Sequence, residues 1–304
     1  MLLAVVVTVA ALSWSLVSAL RGPGDDVPTK LAEWARDHGL GAVVTLAETA
    51  QYKLNPPVTG GTPDSSMLAA GASQATSSPT QGSGVNTVAT IALQPRVVGP
   101  VSPALPGEGV YVPAVQSSVG DLVQVTYTRP DTVHTSYLAG IAWLSHRLRF
   151  VLHPGFEDPG TAGMSQTDRV LPNQYAGLVA TFNGGFKLKD AQGGYYDHGM
   201  TVGTLQDGAA SLVIYRDGHA TVGTWGKDVS MTPDVSFVRQ NLRPLVQDGR
   251  IAPNVDANVE STWGATIGGA YAVWRSGIGV TPSGDLVYVA GDALTVSALA
   301  DLLH

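Results

Sequence analysis

Leu178-Val179-Ala180-Thr181-Phe182-Asn183-Gly184-Gly185-Phe186 is an apolar run that stops on an Asn and two glycines. Short, rich in β-branched and aromatic residues and bounded by turn formers, Leu178 to Phe182 carries the signal of a buried strand. Asn183, Gly184 and Gly185 end it. Glycine reaches positive φ without a Cβ clash and lets a ligand touch the backbone. A strand running into Asn-Gly-Gly therefore presents N–H groups beside an Asn amide, a seat for an oxyanion or a phosphate. A tight turn makes the same demand on the sequence, so the rest of the chain has to decide between the two.

Composition sets the bounds. With 304 residues, 44% hydrophobic and 13% charged, the chain can bury a core, while 36 glycines and 19 prolines require many turns or irregular segments. The net charge of −7, with no Lys or Arg run interleaved with aromatics, argues against nucleic acid as a partner. Cysteine is absent, which removes disulfides, thiolate nucleophiles and Cys-based metal sites. His134, His146 and His153 stand on three separate segments with no carboxylate at ligand spacing. They read as solvated histidines, and neither a metal nor another cofactor is expected.

Four regions follow along the chain. Residues 1–21 contain the uncharged run Leu2 to Leu20, about the length that spans a bilayer as a helix. Val17-Ser18-Ala19 resembles a signal peptidase site, but no basic n-region precedes Leu2, which favours an anchor over a cleaved signal. Residues 22–54 hold a short amphipathic helix from Asp25 to Gly41, with Asp26 as N-cap, Pro28 in the first turn and Gly39 near the stop. Leu31, Trp34, Ala35 and His38 share one face, which docks on the body or lies near the membrane surface. Residues 55–114 read as a Gly/Ser/Thr/Pro-rich linker, stiffened by Pro95, Pro100, Pro103, Pro106 and Pro113. The globular body occupies 115–304.

That body is β-rich. Leu122–Thr128 alternates, and Thr135–Leu144 with Leu148–Leu152 predicts a hairpin. Ser211–Tyr215 and His219–Thr224 predict a second, turning on Asp217-Gly218. Further turns fall at Asp248-Gly249 and Pro282–Asp285, and Thr295–Leu303 predicts a last helix capped by Thr295 or Ser297. The expected fold is mixed α/β (α+β): a β-rich mixed sheet with hairpins and flanking helices, preceded by the membrane helix and the linker.

The order of these pieces carries a resemblance. Asn183-Gly184-Gly185-Phe186, then SLVIYRDGHATVG, then Leu245-Val246-Gln247-Asp248-Gly249-Arg250, then Arg275-Ser276-Gly277-Ile278-Gly279-Val280 with TPSGDLVYVAGDALTVSALADLL, resembles the phosphodiester glycosidase family, which includes the lysosomal uncovering enzyme. The likeness covers the last third to half of the chain, and its specificity lies in order and spacing. LHPG around Pro154, ATFNGGFKLKDAQGG and VWRSGIGVT make it most similar to membrane-anchored actinobacterial members. The resemblance implies a mixed α/β fold and an extracytoplasmic body, membrane-anchored or secreted. It also implies hydrolysis of the glycosidic bond of a sugar-1-phosphate diester in a surface or cell-wall glycan. Family members continue past the final helix into one more strand ending in an acidic motif. Here the chain stops at His304, so the resemblance implies a C-terminally incomplete domain lacking one active-site carboxylate.

Such a reaction differs from ordinary glycoside hydrolysis because the leaving group is a phosphomonoester with a second pKa of about 6, so protonating it contributes less. Anion binding becomes the scarce requirement. Arg275 is the first candidate, since a guanidinium fork matches two phosphate oxygens and glycines flank it. Asn183 with the N–H groups of Gly184 and Gly185 would hold a phosphate or sugar oxygen. Asp248, and Asp197 beside His198, are the candidate carboxylates for activating water or stabilising an oxocarbenium-like state, with Tyr195 and Tyr196 as sugar-stacking surface. Arg239 and Arg243, four apart, would offer two guanidiniums from one helical face. No G-x-S-x-G, H-E-x-x-H or P-loop is present. A non-catalytic anchored module binding an anionic glycan or a protein partner on the same fold is the competing reading.

Overall fold

The computed structural model describes residues 13–21, 27–64, 93–118, 120–155, 158–257, 260–264 and 272–304. The chain divides into two compact units, Met1–Pro56 and Pro57–His304.

The first unit is helical. A helix over 13–21 is followed by α1 (Val27–Ala35) and α2 (Gly41–Leu54), with a break between them where Gly39 takes φ 81°. The expected helix matches α1 and stops where Gly39 permits it, but the chain re-enters a helix at Gly41, which the sequence reading did not anticipate. Trp34 stacks on His38 with ring centroids 4.3 Å apart and donates to Ser15 Oγ at 3.1 Å. Among the described residues no helix is long and apolar enough to cross a membrane. Most of the Leu2–Leu20 span and the Asp26 cap lie outside the described residues.

The second unit is built from two five-stranded sheets. Sheet I runs in the order β1 (Val112–Ser117), β2 (Gly120–Thr128), β3 (Ala139–Leu144), β12 (Leu286–Leu294), β11 (Val273–Val280). Sheet II runs β5 (Met200–Val202), β4 (Tyr195–Asp197), β8 (Val235–Gln240), β6 (Ala210–Tyr215), β7 (Ala220–Thr224). A two-stranded ribbon, β9 (Val246–Gln247) with β10 (Arg250–Ile251), stands apart from both. Every strand pairing within the sheets is antiparallel, so the expected single mixed sheet is replaced by two antiparallel ones. The fold is mixed α/β and β-rich, with few helices.

One core joins the sheets face to face. Val123, Leu144 and Leu286 from sheet I meet Tyr195, Leu212, Ile214 and Phe237 from sheet II. The outer face of sheet I is covered by the last helix (Val296–Leu303, termed the C-terminal helix), through Ile141, Trp143, Val289, Leu294 and Leu299. Thr295 Oγ1 caps it by accepting from Ala298 N at 3.0 Å. Gly277 makes the close approach possible, since a Cβ there would sit 2.9 Å from Leu303 Cδ1.

The predicted turns form as read. Asp217-Gly218 closes β6 to β7, with Gly218 at φ 86°, and Asp248 (φ 53°) and Gly249 (φ 67°) close β9 to β10. Two apolar runs behave differently. Leu148–Leu152 forms no strand: it crosses from sheet I toward sheet II, and Phe150 N donates to Gly218 O at 2.8 Å. Leu178–Phe182 is not a strand either. Val179 and Phe182 pack on the inter-sheet core while Leu178 is 45% exposed, and this inward spacing of three is incompatible with the two-residue period of a pleated ladder. Phe182 rests on Tyr288 of β12, centroids 4.6 Å apart.

The region 93–111 is packed against the body. Buried Glu108 accepts from Arg129 Nη2 at 2.8 Å, Arg129 N at 2.8 Å and Leu105 N at 2.7 Å. Burial pushes its carboxyl pKa up, and the hydrogen bonds and charge of Arg129 outweigh that, leaving it below the usual carboxylate range. The linker's middle, 65–92, lies outside the described residues.

Candidate functional site

Arg239 comes from β8, where it pairs with Tyr195 of β4 and Leu212 of β6 on the face that looks toward sheet I. It is 8% exposed. Nη1 donates to Gln240 O at 2.6 Å and Nη2 donates to Phe186 O, so the guanidinium holds the loop after Asn183 in place. Gly185, at φ 151°, lies directly over it: a Cβ at this position would stand 3.6 Å from Cζ and Nη2. Burial lowers the pKa of Arg239, with the fields of Asp158 and Tyr195 acting in the opposite direction. Among the described residues no carboxylate forms an ion pair with it; Asp158 is bonded to Leu188 N at 2.6 Å.

The Asn-Gly-Gly segment is partly occupied by itself. Asn183 Oδ1 accepts from Gly185 N at 3.0 Å, an Asx-type turn. That leaves the amide NH2 of Asn183 and the N–H of Gly184 without partners among the described residues. Gly184 packs against Leu152, with a Cβ position 3.6 Å from Leu152 Cδ1. The next residue, His153, bonds through Nδ1 to Thr167 O at 2.8 Å. A backbone carbonyl only accepts, so Nδ1 carries the hydrogen and Nε2 is the free face of the ring.

Tyr195 and Asp197 project from the same face of β4. The Tyr195 hydroxyl is buried and has no hydrogen-bond partner among the described residues. Burial, helped by the charge of Asp197, pushes its pKa well above the usual tyrosine value. The Asp197 side chain is fully buried: Oδ1 bonds His198 Nδ1 at 2.7 Å and Oδ2 accepts from Ser165 N at 2.7 Å. His198, at φ 46°, is 48% exposed at its side chain and meets the Phe237 ring edge-on at 4.7 Å.

The remaining candidates lie elsewhere. Arg275 is buried on β11 and donates from Nε to Leu294 O at 2.9 Å. Gly277 and Gly279, on its side of the strand, lie under Leu299 and Leu303, whereas Ile278 and Tyr288 face the inter-sheet core with Phe182. Sheet I therefore stands between Arg275 and the Asn183 loop, and the expected clamp of Arg275 opposite Asn183 does not form. Spacing along a strand does not reveal which face a covering helix will take. Asp248 is exposed in its turn and pairs with Lys227 Nζ at 2.8 Å, beside an open cleft of about 460 Å³ that Gln247 and Arg250 also line. Arg239 and Arg243 share no helical face, because β8 ends at Gln240; Arg243 is exposed and packs its guanidinium over Gly208. Tyr196 belongs to the core on the opposite face of sheet II from Tyr195.

The structure thus gathers Asn183, Gly184, Gly185, Tyr195 and Arg239, with Asp197 and His198 on the same strand pair, and adds Asp158, which sequence reasoning passed over. Asp158 sits between Pro154 and Pro159 in a segment with no periodic signal, so nothing in its spacing pointed to it. Among the described residues no group of three or more His, Asp or Glu is placed to hold a metal ion. No family model, curated protein or solved structure matches the chain.

Proposed function

We propose that the body is an extracytoplasmic hydrolase that cleaves the glycosidic bond of a sugar-1-phosphate diester in a surface or cell-wall glycan, held at the membrane by the N-terminal apolar run. The supporting observation is a guanidinium that is more than nine-tenths buried, bonded among the described residues only to two carbonyls, with a glycine-opened loop over it. An isolated buried charge costs several kcal/mol after relaxation, and a counter-ion recovers that cost. A phosphate supplies the charge, and the Asn183 amide and Gly184 N–H supply further donors. Arg239 takes the role first assigned to Arg275. The family likeness in Asn183–Phe186 and the β9–β12 motifs supplies the reaction class.

A second reading has its own support. Asp197 has both oxygens occupied, and Asp248 and Arg275 are turned away from the Asn183 loop. Asp158, whose field reaches Arg239, is engaged by Leu188 N. An anion seat with none of its nearby carboxylates unengaged among the described residues fits a non-catalytic module that binds an anionic glycan. The experiment is turnover: the full-length protein is incubated with a panel of sugar-1-phosphate methyl diesters and free reducing sugar is measured. Release by the wild type, lowered by about 10²-fold or more in Arg239→Met, supports the hydrolase. Binding without release across the panel establishes the module.

A further inference from the structure

We propose that His198, oriented by Asp197, is the general base that activates the hydrolytic water; this rests on the hydrolase reading above. A carboxylate only accepts hydrogen bonds, so the 2.7 Å contact from Asp197 Oδ1 fixes the proton on His198 Nδ1 and leaves the Nε2 lone pair without a partner among the described residues, on a side chain that is 48% exposed. Asp197 cannot swing out to meet a substrate itself. Its side chain is fully buried, and Oδ2 is tied to Ser165 N at 2.7 Å. The carboxylate is thus a positioning residue, and the half-exposed ring is the group that reaches water.

The backbone adds to this. Asp197 pairs with Met200, so His198 and Gly199 form a two-residue turn with φ 46° and 101°. Glycine or asparagine fills the first position of such a turn more easily than histidine. The ring is backed edge-on by Phe237 at 4.7 Å, and the backbone is pinned by His198 N donating to Ser236 O at 2.9 Å. Phe237 and Ser236 bring no charge, and Asp197 is the charged group in contact with the ring among the described residues.

The placement relative to the anion seat fits the reaction. Tyr195 pairs with Arg239 and Asp197 with Phe237, so the dyad lies two residues further along the same strand pair, about 7 Å at ~3.4 Å per residue. A sugar whose phosphate rests on Arg239 extends over that distance. In the step, the water oxygen bonds to the anomeric carbon while the bond from that carbon to the phosphate oxygen breaks. The bonding pair leaves with the phosphate, and the water proton passes to Nε2. Asp197 stabilises the resulting imidazolium without taking the proton, and solvent then removes it. A base is the more useful partner than an acid here, because a phosphomonoester with a second pKa of about 6 departs without much protonation.

The test uses His198→Gly in the full-length protein, since glycine suits the positive φ and keeps the turn. With a sugar-1-phosphate methyl diester, kcat is expected to fall by ~10²–10⁴-fold with KM little changed. Added imidazole should restore part of the rate. Asp197→Asn should lower kcat while leaving binding of inorganic phosphate intact. If His198→Gly turns over at the wild-type rate, or its loss lies in KM and imidazole does not restore it, the base assignment is overturned while the hydrolase reading stands. If the wild type releases no sugar, the hydrolase reading itself fails, and the base assignment with it.

Discussion

Arg239→Met separates an anion seat from a structural cap. Methionine approximates the length of the arginine stem, so the change removes charge and donors without opening a large void. The losses are the bonds to Gln240 O and Phe186 O, each worth about 1.5–3 kcal/mol for a charged donor. The gain is relief of the desolvation of a charge that is 92% buried and has no carboxylate partner among the described residues, of the order of several kcal/mol. These nearly cancel, and the folded state should change by no more than ~2 kcal/mol. Anion binding should not cancel: losing the charged partner of a buried phosphate costs about 2–5 kcal/mol, roughly 30- to 4000-fold in affinity. The assay is thermal unfolding with and without inorganic phosphate, because a ligand of the native state raises stability by RT ln(1 + [L]/Kd). The wild type should gain Tm with phosphate and Arg239→Met should not, at similar basal Tm. A variant that loses more than ~4 kcal/mol, while the phosphate-dependent rise persists, would show Arg239 to be a cap for its two carbonyls and nothing more.

Tyr195→Phe should leave stability unchanged or raise it by ~1 kcal/mol, since it deletes a buried hydroxyl that has no partner among the described residues; chemical denaturation reads this. Glu108→Gln should cost ~3–5 kcal/mol at pH 7 by leaving Arg129 buried and unpaired. The folded-state pKa of Glu108 is depressed, so its contribution is present above its ordinary value of 4.5 and fades as pH falls through the folded one. Denaturation midpoints measured from pH 7 down to 3 should therefore converge between wild type and variant at the acid end. Gly277→Val should destabilise by ~1–3 kcal/mol, because even its first carbon falls 2.9 Å from Leu303, and tryptophan fluorescence on urea unfolding would show it.

The sequence displayed its turns far better than its sheets. Asp217-Gly218 and Asp248-Gly249 demand positive φ locally, so they could be placed without knowing anything distant. The helix capped by Thr295 was visible for the same reason. Leu178–Phe182 misled because apolar content alone resembles a strand, whereas its inward residues, Val179 and Phe182, are three apart. Glu108 and Arg129 lie 21 residues apart with strands β1 and β2 between them, so their pairing, and with it the packing of the 93–111 region, had no local signature. The site was half visible. Chemistry singled out Asn183, Gly185, Tyr195 and Arg239, but which arginine meets the loop depends on the face each strand turns inward. For β11 that is set by Leu299 and Leu303 arriving from the C-terminal helix.

The most direct test is anomalous diffraction from crystals of the full chain soaked in an electron-dense tetrahedral oxyanion such as tungstate. A peak is expected within hydrogen-bonding reach of the Arg239 guanidinium and the Gly184 N–H, absent in Arg239→Met. A peak beside Arg275 on the helix-covered face of sheet I, with none at Arg239, would contradict it.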